Sequence, residues 1–221
     1  MELLHAAHVP AGDGPFPTIL ALHGWGASAH DLLGLAPIIH GGQALVLCPE
    51  GPLRVPIAEG IEGHGWFPLN QDREVSLPEI RRASGLVADF LEAATERYPI
   101  NPRKTAVLGF SQGGVLAYDL ALRDPERFAG LIALSSWLPQ PLGDELGAMP
   151  ERADLPTFVA HGTEDPLLPI ALGQDSRDRL IALGVSPAYR EYPMQHEIRP
   201  EALRDLIGWL EDKVLQPVLL A

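Results

Sequence analysis

Short apolar runs alternate with longer amphipathic stretches along most of the chain, a pattern typical of parallel strands joined by helices. The apolar runs predict strands within 18–22, 44–48, 104–109, 128–135, 157–160 and 188–192. Apolar residues at helical spacing predict helices over 78–98, 115–122, 170–183 and 200–214. Residues 2–9 predict an antiparallel edge strand. Together these elements predict an α/β fold with a mostly parallel central sheet, helices on both faces, and a single domain spanning residues 1–221.

Two irregular stretches, 50–77 and 136–156, interrupt this alternation. Both follow the carboxyl ends of predicted strands, which is where ligands bind in open α/β sheets. We therefore expect both stretches to face the substrate. The second stretch is too short for a large cap domain, which predicts an open site.

Composition and charge exclude several classes of protein. The 221 residues are 46% hydrophobic and 20% charged, as in ordinary globular proteins. A net charge of −13 repels nucleic acid and anionic lipid surfaces. The start of the chain has no secretory signal, no apolar run is long enough to span a bilayer, and the apolar end, 217–221, is too short for an anchor. We expect a cytoplasmic protein without stable membrane insertion, and we expect its one cysteine, Cys48, to be a buried and unreactive thiol.

A nucleophile elbow is indicated by Gly109, Ser111 and Gly113, which match the pattern G-x-S-x-G. A strand is predicted before them and a helix after them, which is the context this pattern requires. The turn from strand to helix is so tight that side chains at the two glycine positions would collide with neighbouring chain. The helix then directs its first amide hydrogens and the positive end of its dipole to the place where an oxyanion forms. Ser111 is the predicted nucleophile.

A serine hydroxyl needs a histidine to accept its proton, and in this arrangement the histidine follows the acid in the chain. Only two histidines follow Ser111. His196 lies in a turn between the last predicted strand and the last predicted helix, where the base belongs. His161 ends a strand ahead of the acid, so we interpret it as structural. His196 is the predicted base.

The acid that orients this base is predicted to be Asp165, just past the strand that ends at His161. Pro166 fixes the turn behind it, and a short side chain in a turn is well held. Glu164 is the alternative. A metal site formed by His23, His161 and Asp165 is a weaker hypothesis, because no ligand spacing characteristic of zinc is present. We expect no metal and no cofactor.

Two backbone amides are needed to hold the oxyanion. One is predicted at Gln112, directly after the nucleophile, and the other at Trp25, in the His-Gly-Trp-Gly loop after an early strand. Large apolar residues in the irregular segments are candidate walls for the substrate. These candidates are Trp66, Phe67, Trp137, Leu167 and Leu168.

Taken together, these motifs resemble the carboxylesterase, lysophospholipase and acyl-protein thioesterase family of small α/β-hydrolases. The resemblance extends from about Thr18 to Leu210, and the elbow and the acid loop are its most specific parts. The matching segments are Leu22-His23-Gly24-Trp25-Gly26, Gly65-Trp66-Phe67, Gly109-Phe110-Ser111-Gln112-Gly113-Gly114, His161-Gly162-Thr163-Glu164-Asp165-Pro166-Leu167-Leu168-Pro169 and His196-Glu197-Ile198.

The resemblance implies an α/β-hydrolase fold and a metal-free esterase with Ser111, Asp165 and His196 as its triad and Trp25 and Gln112 as oxyanion donors. Trp25 replaces the smaller aliphatic residue often found in that loop, which bears on the choice of acyl group and not on the chemistry. The expected activity is hydrolysis of short- to medium-chain acyl esters or thioesters, and the expected partner is a small-molecule ester. A lysophospholipase, an acyl-protein thioesterase, a cofactor-free perhydrolase and a non-catalytic binding protein are the alternatives, and a homodimer is left open.

Overall fold

The computed structural model describes residues 3–69 and 75–215. Its strands are β1 His5–His8, β2 Phe16–Leu22, β3 Leu45–Pro49, β4 Leu53–Ala58, β5 Ile61–Gly65, β6 Ile100–Phe110, β7 Gly130–Leu134, β8 Thr157–Gly162 and β9 Ala188–Tyr192. Its α-helices are α1 Leu77–Arg97, α2 Gln112–Arg123, α3 Gln140–Leu146, α4 Ile170–Ala182 and α5 Pro200–Leu210. The predicted apolar tail, 217–221, lies outside the described residues.

Seven strands form one sheet in the order β1-β3-β2-β6-β7-β8-β9. Strand β1 is antiparallel to β3, and the other pairs in this sheet are parallel. The prediction of a mostly parallel sheet with an antiparallel edge strand is therefore confirmed. Because these strands run the same way, the loops after β2, β6, β8 and β9 leave at one edge of the sheet, and these loops carry the predicted oxyanion residues, nucleophile, acid and base.

The strands bury alternate side chains in two apolar cores, one on each face of the sheet. The first core contains Leu20 and Leu22 together with the apolar faces of α1 and α2. The second contains Ile19 and Ala21 together with α5. Helices therefore cover both faces, as predicted, and the parallel strands consist of continuous apolar runs because both of their faces are buried. Each fully buried leucine or isoleucine contributes about 1.5–3 kcal/mol to this packing.

The stretch predicted to be irregular over 50–77 contains a two-stranded hairpin of β4 and β5. This difference has a physical reason: Pro56 interrupts one strand, and Gly63 and Gly65 give the other little strand propensity. The hairpin is fixed by tertiary contacts. The amide of Gly26 donates to the carbonyl of His64 over 2.7 Å, and a Cβ at Gly63 would meet the Gly26 carbonyl.

The second irregular stretch, 136–156, contains the short helix α3 and a 3-10 segment, Pro150–Asp154. Together they are far smaller than a cap domain, in agreement with the prediction of an open site. No helix among the described residues combines the length and the apolar character needed to cross a bilayer.

Candidate active site

Ser111 lies on the sharp turn between β6 and α2, with φ at 52° and ψ at −118°. A side-chain-bearing residue rarely adopts a positive φ, so the turn holds Ser111 under backbone strain. The glycines around it are required by close approach. A Cβ at Gly113 would lie 2.1 Å from the carbonyl oxygen of Leu22, and one at Gly109 would lie 2.3 Å from the carbonyl oxygen of Gly113. The local sequence thus imposes the elbow that lifts the serine above the sheet.

Asp165 and His196 form a direct pair beside this elbow. The Nδ1 atom of His196 lies 2.7 Å from Oδ2 of Asp165, and the Asp165 side chain is fully buried. The other carboxylate oxygen, Oδ1, accepts from the amides of Leu167 and Leu168 at 2.9 and 2.8 Å. A carboxylate with both oxygens engaged keeps one orientation, and it fixes the imidazole with Nδ1 as the hydrogen-bearing nitrogen.

Ser111 and His196 line the same cavity, which has a volume of about 550 Å³. Since Nδ1 of His196 is engaged with Asp165, Nε2 is the nitrogen left to take a proton from the serine. The hydrogen bonds of the described residues do not include one from the Ser111 hydroxyl to this imidazole. Such catalytic contacts commonly tighten only when substrate binds. Phe110, directly before the nucleophile, packs against the His196 ring with 4.9 Å between ring centroids.

The two predicted oxyanion amides come from loops that lie against each other. Gln112 is the first residue of α2, and a Cβ at Gly24 would lie 3.2 Å from Cβ of Ser111. Among the described residues, no backbone acceptor takes the amide hydrogen of Trp25 or of Gln112. Both hydrogens are therefore available to an oxyanion. The indole of Trp25 lines the cavity and is 39% exposed.

Trp66 and Phe67, predicted as substrate walls, do not line the cavity. They are 3% and 1% exposed because they pack into the core beneath the oxyanion loop. The buried side chain of Gln112 accepts from the amide of Trp66 at 2.9 Å and donates to the carbonyl of Phe67 at 2.6 Å. The indole nitrogen of Trp66 donates to the carbonyl of His23 at 2.9 Å. These two aromatic residues therefore join the oxyanion loop to the start of α2.

The other predicted walls, Trp137, Leu167 and Leu168, line the cavity. Sequence reasoning missed the segment after the oxyanion loop, which adds an aspartate and apolar side chains, and it also missed Leu69, Phe110 and Ile198. A signal was present, because these residues lie close in the sequence to the predicted oxyanion loop, the elbow, the base or the Trp66-Phe67 pair. The residues of the missed segment are Ala27, Asp31, Leu32 and Leu35.

His161 is fully buried, and its Nε2 donates to the carbonyl of Leu168 at 2.7 Å. The amide of that same leucine donates to Asp165, so His161 supports the loop that holds the acid. Glu164, the alternative acid, is exposed to solvent. Of the two carboxylates, only Asp165 has contacts that keep it beside the base.

His23 is a buried neutral histidine next to the oxyanion loop. Its Nε2 accepts from the amide of Gly51 at 2.9 Å, so its Nδ1 carries the hydrogen and donates to the carbonyl of Gly24 at 2.8 Å. Burial lowers the pKa of His23 below its ordinary value of 6.5. Burial raises the pKa of the Cys48 thiol to about 12, which keeps it protonated. Within residues 3–69 and 75–215, no three His, Cys, Asp or Glu side chains form a group that could hold a metal ion.

Comparison with known proteins gives the family of this chain. Residues 5–213 match the sequence model of the family described as Phospholipase/Carboxylesterase. Acyl-protein thioesterase 1 of Cryptococcus neoformans var. neoformans serotype D is 29% identical over 223 residues, which cover 87% of this chain and 90% of that protein.

Solved structures of other proteins share the fold of this chain. The carboxylesterase of Bacillus cereus superposes with a TM-score of 0.80 at 21% identity, covering 96% of this chain and 94% of that one. Acyl-protein thioesterase 2 of Zea mays superposes with a TM-score of 0.74 at 25% identity, covering 96% and 100%. The resemblance and the ester- or thioester-hydrolysing activity predicted from the motifs are confirmed. The chain belongs to the phospholipase/carboxylesterase family and has the α/β-hydrolase fold.

Proposed function

We propose that this chain hydrolyses carboxylic esters or thioesters of short to medium acyl chains through an acyl-enzyme on Ser111. The observation that carries the proposal is that His196, paired with the buried carboxylate of Asp165, lines the same apolar cavity as a serine on a strained elbow. Such a set of groups supplies a nucleophile, a base and a fixed tautomer in series.

The proposed reaction has two steps. The Ser111 hydroxyl oxygen attacks the carbonyl carbon while Nε2 of His196 takes its proton, and the amides of Trp25 and Gln112 hold the resulting oxyanion. The imidazolium then gives its proton to the departing alcohol or thiol, which leaves Ser111 acylated. Water attacks the acyl-enzyme with the same imidazole as base, releasing the acid and restoring the serine.

The size and lining of the cavity support an apolar acyl group. The cavity is lined mainly by apolar side chains, chiefly leucine and tryptophan, and is partly open to solvent. A short or medium chain can be desolvated there, and the rest of the substrate can extend into solvent. Trp25, Trp137, Leu167 and Leu168 are the proposed substrate contacts.

The alternatives share the triad and differ in substrate. The relative from Cryptococcus neoformans is called an acyl-protein thioesterase, which keeps acyl-protein thioesters in consideration, and the family description Phospholipase/Carboxylesterase keeps lysophospholipids in consideration. A perhydrolase would use hydrogen peroxide in place of water on the same acyl-enzyme. The strained elbow and the paired imidazole argue against a catalytically silent protein, because backbone strain of this kind is typical of functional sites.

A direct test is turnover of p-nitrophenyl esters of increasing acyl length, with lysophospholipid and peroxide-dependent halogenation assayed in parallel. We expect the highest kcat/KM among esters of short to medium chains, and a loss of about 10⁴-fold or more in Ser111→Ala and in His196→Ala. Circular dichroism of each variant controls for folding. A variant at Ser111 that is folded and as active as the wild type would refute the proposal.

Three further properties belong to this proposal. We propose that residues 1–221 act as one domain, that the protein is cytoplasmic, and that its partner is a small-molecule ester. A homodimer is the alternative to a monomer, and gel filtration with light scattering distinguishes the two by their mass in solution. Limited proteolysis that yields two stable fragments would contradict a single domain.

A further inference from the structure

We propose that Leu32, Leu35 and Ile198 form the subsite for the leaving group, and that Asp31 makes this subsite select a cationic leaving group over its neutral isostere. This inference rests on the proposed function and names the substrate class that the site favours. The class is esters or thioesters whose alcohol or thiol carries a fixed positive charge next to apolar carbon.

The two apolar walls of the cavity belong to different cores of the molecule. Leu69, Trp137 and Leu168 pack with the core that contains α1 and α2. Leu32, Leu35 and Ile198 pack with the core that contains α5. The sheet separates the two cores, and Ser111 follows the last residue of its strand β6, so Ser111 lies between the two walls. A bound ester therefore has one wall on each side of its carbonyl carbon.

The position of the base decides which wall receives the leaving group. His196 must give its proton to the departing oxygen or sulfur, so that atom has to lie on the imidazole side. The imidazole packs against Phe110, which belongs to the same core as Leu32 and Leu35. The leaving group then extends along this wall, and the acyl group extends along the opposite one.

Asp31 adds a carboxylate to the leaving-group wall. It lines the cavity, and its Oδ2 accepts from the amide and the hydroxyl of Ser28. No salt bridge within the described part of the chain includes Asp31, and no lysine or arginine is among the described residues that line the cavity. Its negative charge is therefore available to a ligand.

The surroundings add to this preference. Nearby His23 does not compensate the charge of Asp31, because burial keeps its imidazole neutral. The exposed indole of Trp25 lines the same cavity and offers an aromatic face to a cation. The net charge of −13 attracts cations and repels anions at longer range. A leaving group that carries a phosphate or a carboxylate would meet Asp31, and the described residues that line the cavity offer it no lysine or arginine.

The test compares butyrylcholine with 3,3-dimethylbutyl butyrate, which has the same shape without the charge. Both esters give the same butyryl-enzyme, so the ratio of their kcat/KM values isolates the leaving group. We expect the wild type to prefer the choline ester by about two- to fivefold at low salt, the range of an exposed ion pair, and to lose much of this preference in high salt.

The variant Asp31→Asn should bring the ratio toward one. Asparagine keeps an oxygen that accepts from Ser28, and the ratio is measured on one preparation, so it does not depend on the fraction of folded enzyme. Glu126→Gln is the matched control, because Glu126 is exposed just before β7 begins, at the opposite edge of the sheet. This variant should keep the wild-type ratio.

Moving the charge to the acyl side tests the assignment of the walls. Butyl 4-(trimethylammonio)butyrate and butyl 5,5-dimethylhexanoate form the corresponding pair, and their ratio should respond to Asp31→Asn less than the choline pair does. An equal or larger response would overturn the assignment of the leaving-group wall.

Two results would overturn the role of Asp31: a choline ratio of one or below in the wild type, or a ratio that Asp31→Asn leaves unchanged. Turnover of these esters would still support the proposed function in either case. A wild type that turns over none of these esters and shows no labelling of Ser111 by a fluorophosphonate would overturn both.

Discussion

At the residue scale, the candidate site depends on the buried carboxylate of Asp165, whose two oxygens are both engaged. Asp165 uses both carboxylate oxygens, one for His196 and one for two amides of its own loop. An ionised carboxylate without these donors would be costly to bury. The loop thus makes the buried charge tolerable and at the same time orients it toward the base.

His161 supports the same loop, because its Nε2 donates to the carbonyl of Leu168. This contact leads to a prediction. His161→Leu leaves the carbonyl of Leu168 without its donor and loosens the loop that holds Asp165. We expect kcat to fall by about 10²-fold with little change in KM, since a displaced acid disturbs the base and not the binding of substrate. Steady-state kinetics measure this, and His161→Gln, which keeps an N–H donor, should recover part of the loss. A loss at His161 larger than that of His196→Ala in folded protein would contradict the assignment of the base.

His23 makes stability depend on pH. Its folded pKa is lowered by burial, whereas the unfolded chain takes a proton near 6.5, so the unfolded state binds more protons between these two values. The stabilisation due to neutral His23 is complete above about pH 6.5 and is lost as the pH falls toward the folded pKa. We expect the free energy of unfolding to decrease in this window, and His23→Gln to show a shallower decrease. Urea unfolding at several pH values measures this, and equal slopes for the two proteins would count against it.

At the scale of elements, the β4–β5 hairpin and the start of α2 are joined through the oxyanion loop. The hairpin bonds to Gly26 and Ala27 by backbone contacts, and Gln112 bonds to the two residues that follow the hairpin. A Cβ at Gly65 would lie 2.6 Å from the Trp25 ring, so the hairpin also supports the residue that we propose as an oxyanion donor. We infer from these contacts that the hairpin and the side chain of Gln112 fix the spacing of the two proposed amides.

The side chain of Gln112 should therefore affect both stability and rate. Gln112→Ala leaves an amide hydrogen of Trp66 and a carbonyl of Phe67 buried without partners, which costs about 1–3 kcal/mol for each group. We expect lower thermal stability, and a decrease in kcat that exceeds the change in KM, because the oxyanion amides lose their fixed spacing. Thermal unfolding and ester kinetics on the same preparation check this. A variant that is less stable but has full kcat would show that the spacing does not depend on this side chain.

The sequence predicted the elements whose pattern is local and missed those that depend on distant contacts. Strands such as β2 and β8 are continuous apolar runs, so their type follows from neighbouring residues. The β4–β5 hairpin contains a proline and several glycines, and it exists because backbone groups from the oxyanion loop pair with it. Trp66 was interpreted as a wall because aromatic residues near a site often line it, but its indole hydrogen is used to hold a carbonyl in the core.

At the scale of the whole molecule, the parallel sheet brings the loops after β2, β6, β8 and β9 to one edge. Residues far apart in the sequence thereby meet: the oxyanion loop, the elbow, and the loops of Asp165 and His196. The order of nucleophile, acid and base in the chain is what predicts the candidate triad, since each lies just past the end of a predicted strand. One wall was predicted in part, through Trp137 and Leu168, whereas Leu32 and Leu35 on the other wall were not, because they belong to a separate core on the opposite face of the sheet.

The most direct test of the account is the mass of the intact protein after reaction with a fluorophosphonate, followed by peptide mapping. We predict a single adduct on Ser111 in the wild type, no adduct in Ser111→Ala, and labelling slowed by about 10³-fold or more in folded His196→Ala, because the serine is then without its base. An adduct on another residue, or rapid labelling that does not depend on the imidazole of residue 196, would contradict the account.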